Sequence, residues 1–204
     1  MSSNRRVFAI LGGLLMAGNV SLAQISALSR PDVKTGDRWK IERRDPYTKA
    51  LESTREVVVT TVSQSRVDVS INGEPGVLSS DLTILDSPTL SYDKGYEWLR
   101  FPLEPGKKWE FKTNWLNKPL NARGNSSLDV EVLSQERITV GAGSFDAIKL
   151  RATGYMNGSA GWVRRATVTY WYAPKAKHII RLEWVDPKRD YGFIDELIEY
   201  SEGQ

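Results

Sequence analysis

The sequence has no cysteine and a single histidine, His178, among its 204 residues. Without cysteine the chain cannot be a disulfide-stabilised scaffold, so a hydrophobic core must hold it together. The missing thiol also excludes a lipid attached to an N-terminal cysteine. One histidine and no cysteine do not make a usual zinc site, so the sequence predicts no metal and no cofactor.

Catalytic motifs are also missing. His178 has no Gly-x-Ser-x-Gly nucleophile to serve, and the acidic residues near the C-terminus do not fit the spacing of a calcium-binding loop. The sequence therefore predicts no catalytic residues. The densest carboxylate group is Asp186, Asp190, Asp195 and Glu196, and it leaves a carboxylate-dependent hydrolase as a third-ranked alternative.

The one long apolar run lies at the N-terminus. Arg5 and Arg6 precede the apolar residues 7–17, and Ser21-Leu22-Ala23 forms a small-x-small cleavage pattern. This layout predicts a signal peptide over residues 1–23, with an uncleaved anchor as the alternative. We expect an exported protein, either periplasmic or secreted. No later segment approaches the length of a membrane span, so we expect no transmembrane segment in the mature chain.

Charge is nearly balanced, with 28 basic and 25 acidic residues and a net charge of +3. Removing residues 1–23 takes away two arginines and no acid, which lowers the net charge to about +1. Basic residues occur only in short clusters. The chain thus lacks the electrostatic footprint of a nucleic-acid-binding protein, and we predict no nucleic-acid partner.

Strand patterns follow a polar lead-in, residues 24–36, and fill one domain, residues 37–204. Apolar and polar residues alternate with a period of two, and Asn72-Gly73 is a strong hairpin signal. We predict ten or eleven antiparallel strands, with loops at 86–95 and 117–127. Residues 193–200 fit a strand or a short helix. The fold class is all-β, a single sheet curled into a barrel or half-barrel, with a two-layer sandwich as the alternative.

Glu104-Pro105-Gly106 predicts a tight turn rather than a phosphate-binding loop. Proline suits the second position of a type II turn, and glycine accepts the positive φ of the third. Trp109 would then be the first inward residue of the next strand.

Aromatic residues are abundant, with seven tryptophans and eight tyrosines. Trp171 alternates with Tyr170 and Tyr172, so one set should face the core and the other a surface or cavity. A large aromatic core is the alternative explanation. Rings combine apolar area with a polar group, which suits an apolar or amphipathic ligand. The ligand-binding candidates are Trp98, Trp115, Tyr170, Trp171 and Tyr172.

Three segments appear together in a familiar order. They are FPLEPGKKW (Phe101–Trp109), VGAGSFDA (Val140–Ala147) and WYAP (Trp171–Pro174). In this order the chain resembles exported bacterial β-domain proteins of unknown function, loosely the TapB-like group, over about residues 98–184. Such proteins carry a glycine soon after WYAP, whereas Lys175-Ala176-Lys177 has none. The resemblance implies a curled antiparallel sheet in the cell envelope and supplies no catalytic residues.

These observations favour an exported, non-enzymatic envelope protein that binds a small apolar or amphipathic ligand on an aromatic-lined concave sheet. The alternative is an interaction or assembly module that joins an envelope protein partner through an exposed strand edge.

Overall fold

The computed structural model of the chain describes residues 27–186 and 191–203. The predicted signal peptide and cleavage site therefore lie outside the described residues, and the domain division stays a prediction. Within these residues the chain forms twelve strands: β1 (Arg38–Arg44), β2 (Leu51–Val62), β3 (Arg66–Ile71), β4 (Glu74–Ser79), β5 (Ile84–Asp86), β6 (Leu90–Tyr96), β7 (Lys108–Asn117), β8 (Ala122–Val140), β9 (Gly143–Gly158), β10 (Val163–Ala173), β11 (His178–Asp186) and β12 (Tyr191–Ser201). No helix among the described residues is long and apolar enough to span a bilayer.

Each strand pairs antiparallel with its neighbour in sequence, and β1 pairs with both β2 and β12. This last pairing closes the sheet into a barrel, which confirms the predicted fold class over the sandwich alternative. Residues 193–200 lie in β12, so the strand interpretation of that segment is confirmed.

Both predicted loops contain strand. β6 occupies much of 86–95, because the Asp93 carboxylate accepts hydrogen bonds from the Asn114 N–H (2.8 Å) and the Thr113 hydroxyl (2.9 Å) on β7. β8 begins at Ala122, inside the predicted loop 117–127. Its polar residues alternate with inward ones, and Gly124 pairs with Trp115 of β7, whose ring leaves no room for a Cβ at this position.

The core consists of two hydrophobic clusters, and β9 contributes to both. Phe145 and Ala147 pack in the cluster that contains Trp39, whereas Ile148 and Leu150 pack in the cluster that contains Tyr170. Since successive residues of a strand point to opposite faces, this part of the sheet is covered on both sides.

The turns of an up-and-down barrel alternate between its two ends. We call the two ends of this barrel the sealed end and the rim end. The sealed end carries the connections 63–65, 80–83, 97–107, 141–142 and 174–177, together with the lead-in 27–37 and the C-terminus. The rim end carries the connections 45–50, 72–73, 87–89, 118–121 and 159–162, and also the paired residues Asp186, at the end of β11, and Tyr191, at the start of β12.

A buried ion pair closes the sealed end. Asp37 is fully buried and lies 3.0 Å from the Lys177 ammonium. Its carboxylate also accepts hydrogen bonds from the backbone N–H of Lys34 (2.9 Å) and of Gly203 (2.8 Å). One carboxylate thus joins the lead-in, the β10–β11 turn and the C-terminal segment.

The Glu104–Lys107 turn also lies at the sealed end and has the expected geometry. Gly106 has a φ of 82°, and the Lys107 N–H donates to the Glu104 carbonyl at 3.1 Å. Trp109 is buried, as the turn predicts.

Candidate functional site

The five predicted ligand-binding residues fall into three separate places. Trp98 and Tyr170 are neighbours: their rings are 5.0 Å apart, and the Tyr170 hydroxyl donates to the Trp98 carbonyl at 2.7 Å. Tyr172 joins the same cluster through Phe101, at 5.5 Å. Trp171 lies elsewhere, in the cluster that contains Trp39.

The alternation argument for Trp171 is wrong. Tyr170 and Tyr172 are fully buried, and Trp171 is 7% exposed. The Trp171 face is covered as well: its ring N–H donates to Glu136 at 2.6 Å, and the Lys149 ammonium lies 5.1 Å from the ring. Strand alternation cannot reveal a sheet that is buried on both faces, and the ligand-binding role of these residues stays a prediction.

Trp115, the fifth candidate, lies at the rim end. Its ring stacks on Trp162 with centroids 5.8 Å apart and an interplanar angle of 25°. A Cβ on Gly124 or Gly158 would collide with one of these two rings. Two glycines thus allow the tryptophans to lie directly on the backbone of β8 and β9.

The stacked pair continues into a chain of rings and arginines. The Arg164 guanidinium lies 5.3 Å from the centroids of both Trp162 and Tyr191. Trp184 contacts Tyr191 and Phe193 at 5.9 and 5.5 Å, and the Arg43 guanidinium lies 3.6 Å from the Phe193 centroid. We call this set the aromatic–arginine array: Arg43, Trp115, Trp162, Arg164, Trp184, Tyr191 and Phe193.

Three donors of the array are buried without an acceptor among the described residues: the ring N–H groups of Trp115 and Trp184 and the Nε of Arg164. A buried donor without a partner carries a desolvation cost, so each would be stabilised by an acceptor from outside the chain.

Arg43 connects the array to a charged cluster. It donates two hydrogen bonds to the buried Asp195 carboxylate, at 2.6 and 2.8 Å, and Arg55 approaches the same carboxylate at 3.5 Å. Two arginines thus share one buried carboxylate.

Two of the grooves on the surface of the described barrel are lined in part by aromatic residues. One, of about 690 Å³, is at the rim end, where Tyr92 and Trp115 meet Asp93, Asn114 and Arg123. The hydrogen bond from the Asn114 backbone N–H lowers the pKa of Asp93 most, and the bond from the Asn114 side chain lowers it further.

The other groove, of about 600 Å³, lies over β7–β10. Its exposed side chains are charged, with Glu131 3.1 Å from both Lys108 and Arg151. Trp109 is the one aromatic residue among its lining residues, whereas Tyr92 and Trp115 both line the groove at the rim end, so the rim end offers the better apolar site.

Sequence reasoning missed most of the array. Trp162, Arg164, Tyr191, Trp184 and Phe193 come from three strands and one turn, and their sequence positions give no sign that they meet. A usable signal was Trp162-Val163 directly after Gly161, since large apolar residues are unusual at an exposed turn.

Of the acidic candidates Asp186, Asp190 and Asp195, two lie in the described part of the chain. Asp195 is held by Arg43 and Arg55, Asp190 lies outside the described residues, and Asp186 accepts a hydrogen bond from Tyr47 through its backbone carbonyl at 3.4 Å. The described part of the chain contains no group of three or more His, Cys, Asp or Glu residues that could hold a metal ion.

No family model matches the sequence, and no curated protein matches it. Solved structures do match. An exported protein with a YmcC-like fold from Bacteroides fragilis has a TM-score of 0.62 and 16% identity, over 86% of this chain and 100% of that one. A protein classed as a lipoprotein from Parabacteroides distasonis has a TM-score of 0.63 and 15% identity, with the same coverage. The chain therefore shares the fold that is called YmcC-like in the Bacteroides protein.

Proposed function

We propose that the chain is an exported, non-enzymatic protein of the bacterial cell envelope that binds an apolar or amphipathic ligand at the rim end of its barrel. The predicted signal peptide supports export. Two proteins of the same fold are classed as exported or as a lipoprotein, which supports an envelope location. The resemblance to the TapB-like group stays a prediction.

The observation that carries the proposal is the aromatic–arginine array. It joins large apolar rings to buried donors that have no acceptor among the described residues. Ligand sites combine a mostly apolar lining with a few placed polar groups. Trp162 is 37% exposed and Tyr191 is 47% exposed, so the array reaches the surface.

The five residues predicted to bind a ligand differ in whether they belong to the array. Trp115 belongs to the array and borders the rim groove. Tyr170 and Tyr172 lie in the core cluster, Trp98 packs against that cluster, and Trp171 packs on the other face of the sheet. We propose Trp115, Trp162 and Arg164 as the residues that contact the ligand.

Dye binding and native mass spectrometry test this function. The folded protein should bind the apolar dye ANS or retain a ligand through purification, and Trp162→Ala should reduce that binding at least severalfold. Val62→Ala is the matched control, since Val62 is 41% exposed at the sealed end. A folded wild-type chain that neither binds ANS nor retains a ligand would overturn the proposal.

The assembly module stays a second candidate. Because the described strands form a closed barrel, a partner would have to bind the turns or the outward faces rather than a free strand edge. Crosslinking in the native envelope distinguishes the two: a specific protein partner without a retained small molecule favours assembly.

A further inference from the structure

The groove at the rim end contains a row of polar side chains from neighbouring strands. Asn114 on β7 pairs with Asn125 on β8, and Asn125 pairs with Asn157 on β9. Asp93 on β6 extends the row, because its carboxylate accepts a hydrogen bond from the Asn114 side-chain amide at 2.7 Å. Three members of the row, Asp93, Asn114 and Asn125, line the groove of about 690 Å³. Side chains of three strands therefore face one space.

The Asn114 side chain is fixed with its carbonyl oxygen free. Asp93 accepts hydrogen bonds from the Asn114 backbone N–H at 2.8 Å and from the Asn114 Nδ2 at 2.7 Å. An ionised carboxylate only accepts, so it is the Nδ2 of Asn114 that faces Asp93. The Asn114 Oδ1 accepts no hydrogen bond from the described residues, and the residue is exposed. Asn114 thus offers the groove an acceptor.

Asn125 has the opposite polarity. Its Oδ1 accepts a hydrogen bond from the Asn157 Nδ2 at 2.9 Å, whereas its own Nδ2 donates to none of the described residues. Asn125 is also exposed. Because Asn114 and Asn125 lie directly opposite each other in an antiparallel pair, their Cβ atoms are about 5 Å apart. The groove therefore presents an acceptor and a donor side by side, and each amide is held by a hydrogen bond at its other end.

An acceptor beside a donor favours hydroxyl groups in the ligand. A hydroxyl both donates and accepts, so two neighbouring hydroxyls can satisfy both asparagines. An ionised carboxylate or a phosphate diester only accepts and an ammonium only donates, so each would leave one asparagine without a partner. Of the described residues that line the groove, one is basic, Arg123, and one is acidic, Asp93. The lining is thus balanced in charge, which agrees with an uncharged head group.

Aromatic rings in the same groove suit the carbon face of a sugar ring. Tyr92 and Trp115 line the groove, and such rings supply apolar area beside polar groups. Trp115 also stacks on Trp162, so the groove continues into the aromatic–arginine array. A ligand whose apolar part lies on the array would therefore have its polar part next to Asn114 and Asn125.

We propose that the ligand of the rim end carries a saccharide head group, which hydrogen-bonds to Asn114 and Asn125 in the groove. This rests on the proposed function, because the array takes the apolar part of the same ligand. An extended peptide also has donors and acceptors, but sheets bind peptides along a free strand edge. The strand that carries Asn125 is paired on both sides, so a ligand reaches this position through side chains alone.

Isothermal titration with decyl detergents, each below its critical micelle concentration, tests the head group. Decyl β-glucoside, decyl β-galactoside and decyl β-maltoside have the same alkyl chain as decyldimethylamine oxide, whose head only accepts hydrogen bonds. At least one glycoside should bind about tenfold more tightly than the amine oxide, the gain expected from two hydrogen bonds. Asn125→Ala should remove most of that preference, whereas Trp162→Ala should weaken the binding of all four detergents.

Asp129→Ala is the matched control, because Asp129 is exposed on the same face of β8 and lines the other groove. It should keep the preference for the glycoside, and Asn125→Ala should bind the amine oxide as the wild type does. The saccharide head group is refuted if no glycoside is preferred, if Asn125→Ala keeps the preference, or if Asp129→Ala loses it as well. Equal binding of all four detergents would refute it and leave the proposed function intact, whereas a folded protein that binds neither these detergents nor ANS would overturn both.

Discussion

The hydrophobic core is covered differently at the two ends of this barrel. At the sealed end, the lead-in and the C-terminal segment meet over the buried Asp37–Lys177 pair, and the β8–β9 turn contacts β12 through a hydrogen bond from Ala142 to Leu197 (3.0 Å). At the rim end, short turns leave rings and aliphatic side chains in solvent. The difference indicates that the sealed end serves stability, whereas the rim end bears apolar exposure that stability alone does not require.

Removing the carboxylate at the sealed end should have the largest effect. Asp37→Ala leaves the Lys177 ammonium without a partner and frees the N–H groups of Lys34 and Gly203. We expect the free energy of unfolding to fall by about 3–5 kcal/mol, measured by urea denaturation. Asp81→Ala is the control, since its ion pair with Arg30 at the same end is exposed and 3.7 Å long; it should cost less than about 1 kcal/mol. Equal effects would contradict the role of the buried pair.

Lowering the pH should have the second largest effect on the free energy of unfolding, through His178 at the sealed end. Burial lowers the pKa of His178 to about 4, below the value of about 6.5 in an unfolded chain. Between these values the unfolded chain holds the proton and the folded one does not, so stability falls as the pH falls. The free energy of unfolding should drop by up to about 3 kcal/mol from this group between pH 6.5 and 4.

Denaturation at several pH values checks this effect. The variant His178→Gln should lose that part of the pH dependence while it keeps the part that arises from carboxylates. Identical pH profiles for the two proteins would show that His178 does not contribute.

A substitution in the turn before β7 should have a smaller effect on stability. Gly106 has a φ of 82° and open space around its Cβ position. Gly106→Ala should therefore cost about 1 kcal/mol through backbone strain alone, visible as a lower melting temperature. Pro105→Ala, which keeps the glycine, should cost less, and the opposite order would contradict the type II turn.

The smallest effect should come from the rim. Leu120→Ala removes a side chain that is 75% exposed, so it should change the free energy of unfolding by no more than about 0.5 kcal/mol. Leu103→Ala, at the sealed end, removes a fully buried side chain and should cost about 2–5 kcal/mol. Thermal melts of the pair compare the two ends directly, and a large loss for Leu120→Ala would show that the rim is structural.

Alternation in the sequence was enough to predict the fold class, because strands such as β7 alternate strictly between buried Trp109, Phe111 and Trp115 and exposed Lys108 and Glu110. The prediction of strands failed where a strand is rich in polar residues, because such a segment has the composition of a loop. In β6 it failed because Asp93 is held by side-chain and backbone donors of β7, which single-strand patterns do not contain.

The candidate site was predictable only in its chemistry. The aromatic content indicated an apolar or amphipathic ligand, yet only Trp115 of the five candidates lies in the array. The contact of Arg164 with Tyr191 joins residues from β10 and β12, which pair with β11 on either side. Register and barrel closure determine such contacts, and neither can be read from one strand at a time.

The pairing of β1 with β12 has a consequence for how the protein is made. Arg38, at the start of the first strand, pairs with Ser201, at the end of the last. Every other strand pairing joins neighbours in sequence, so most of the sheet can form from local contacts. The pairing of β1 with β12 can form only once the C-terminal strand is present. Until then the edges of both strands are open to pairing with another chain. If the predicted signal peptide directs an unfolded chain across a membrane, the barrel can close only after residue 201 has crossed.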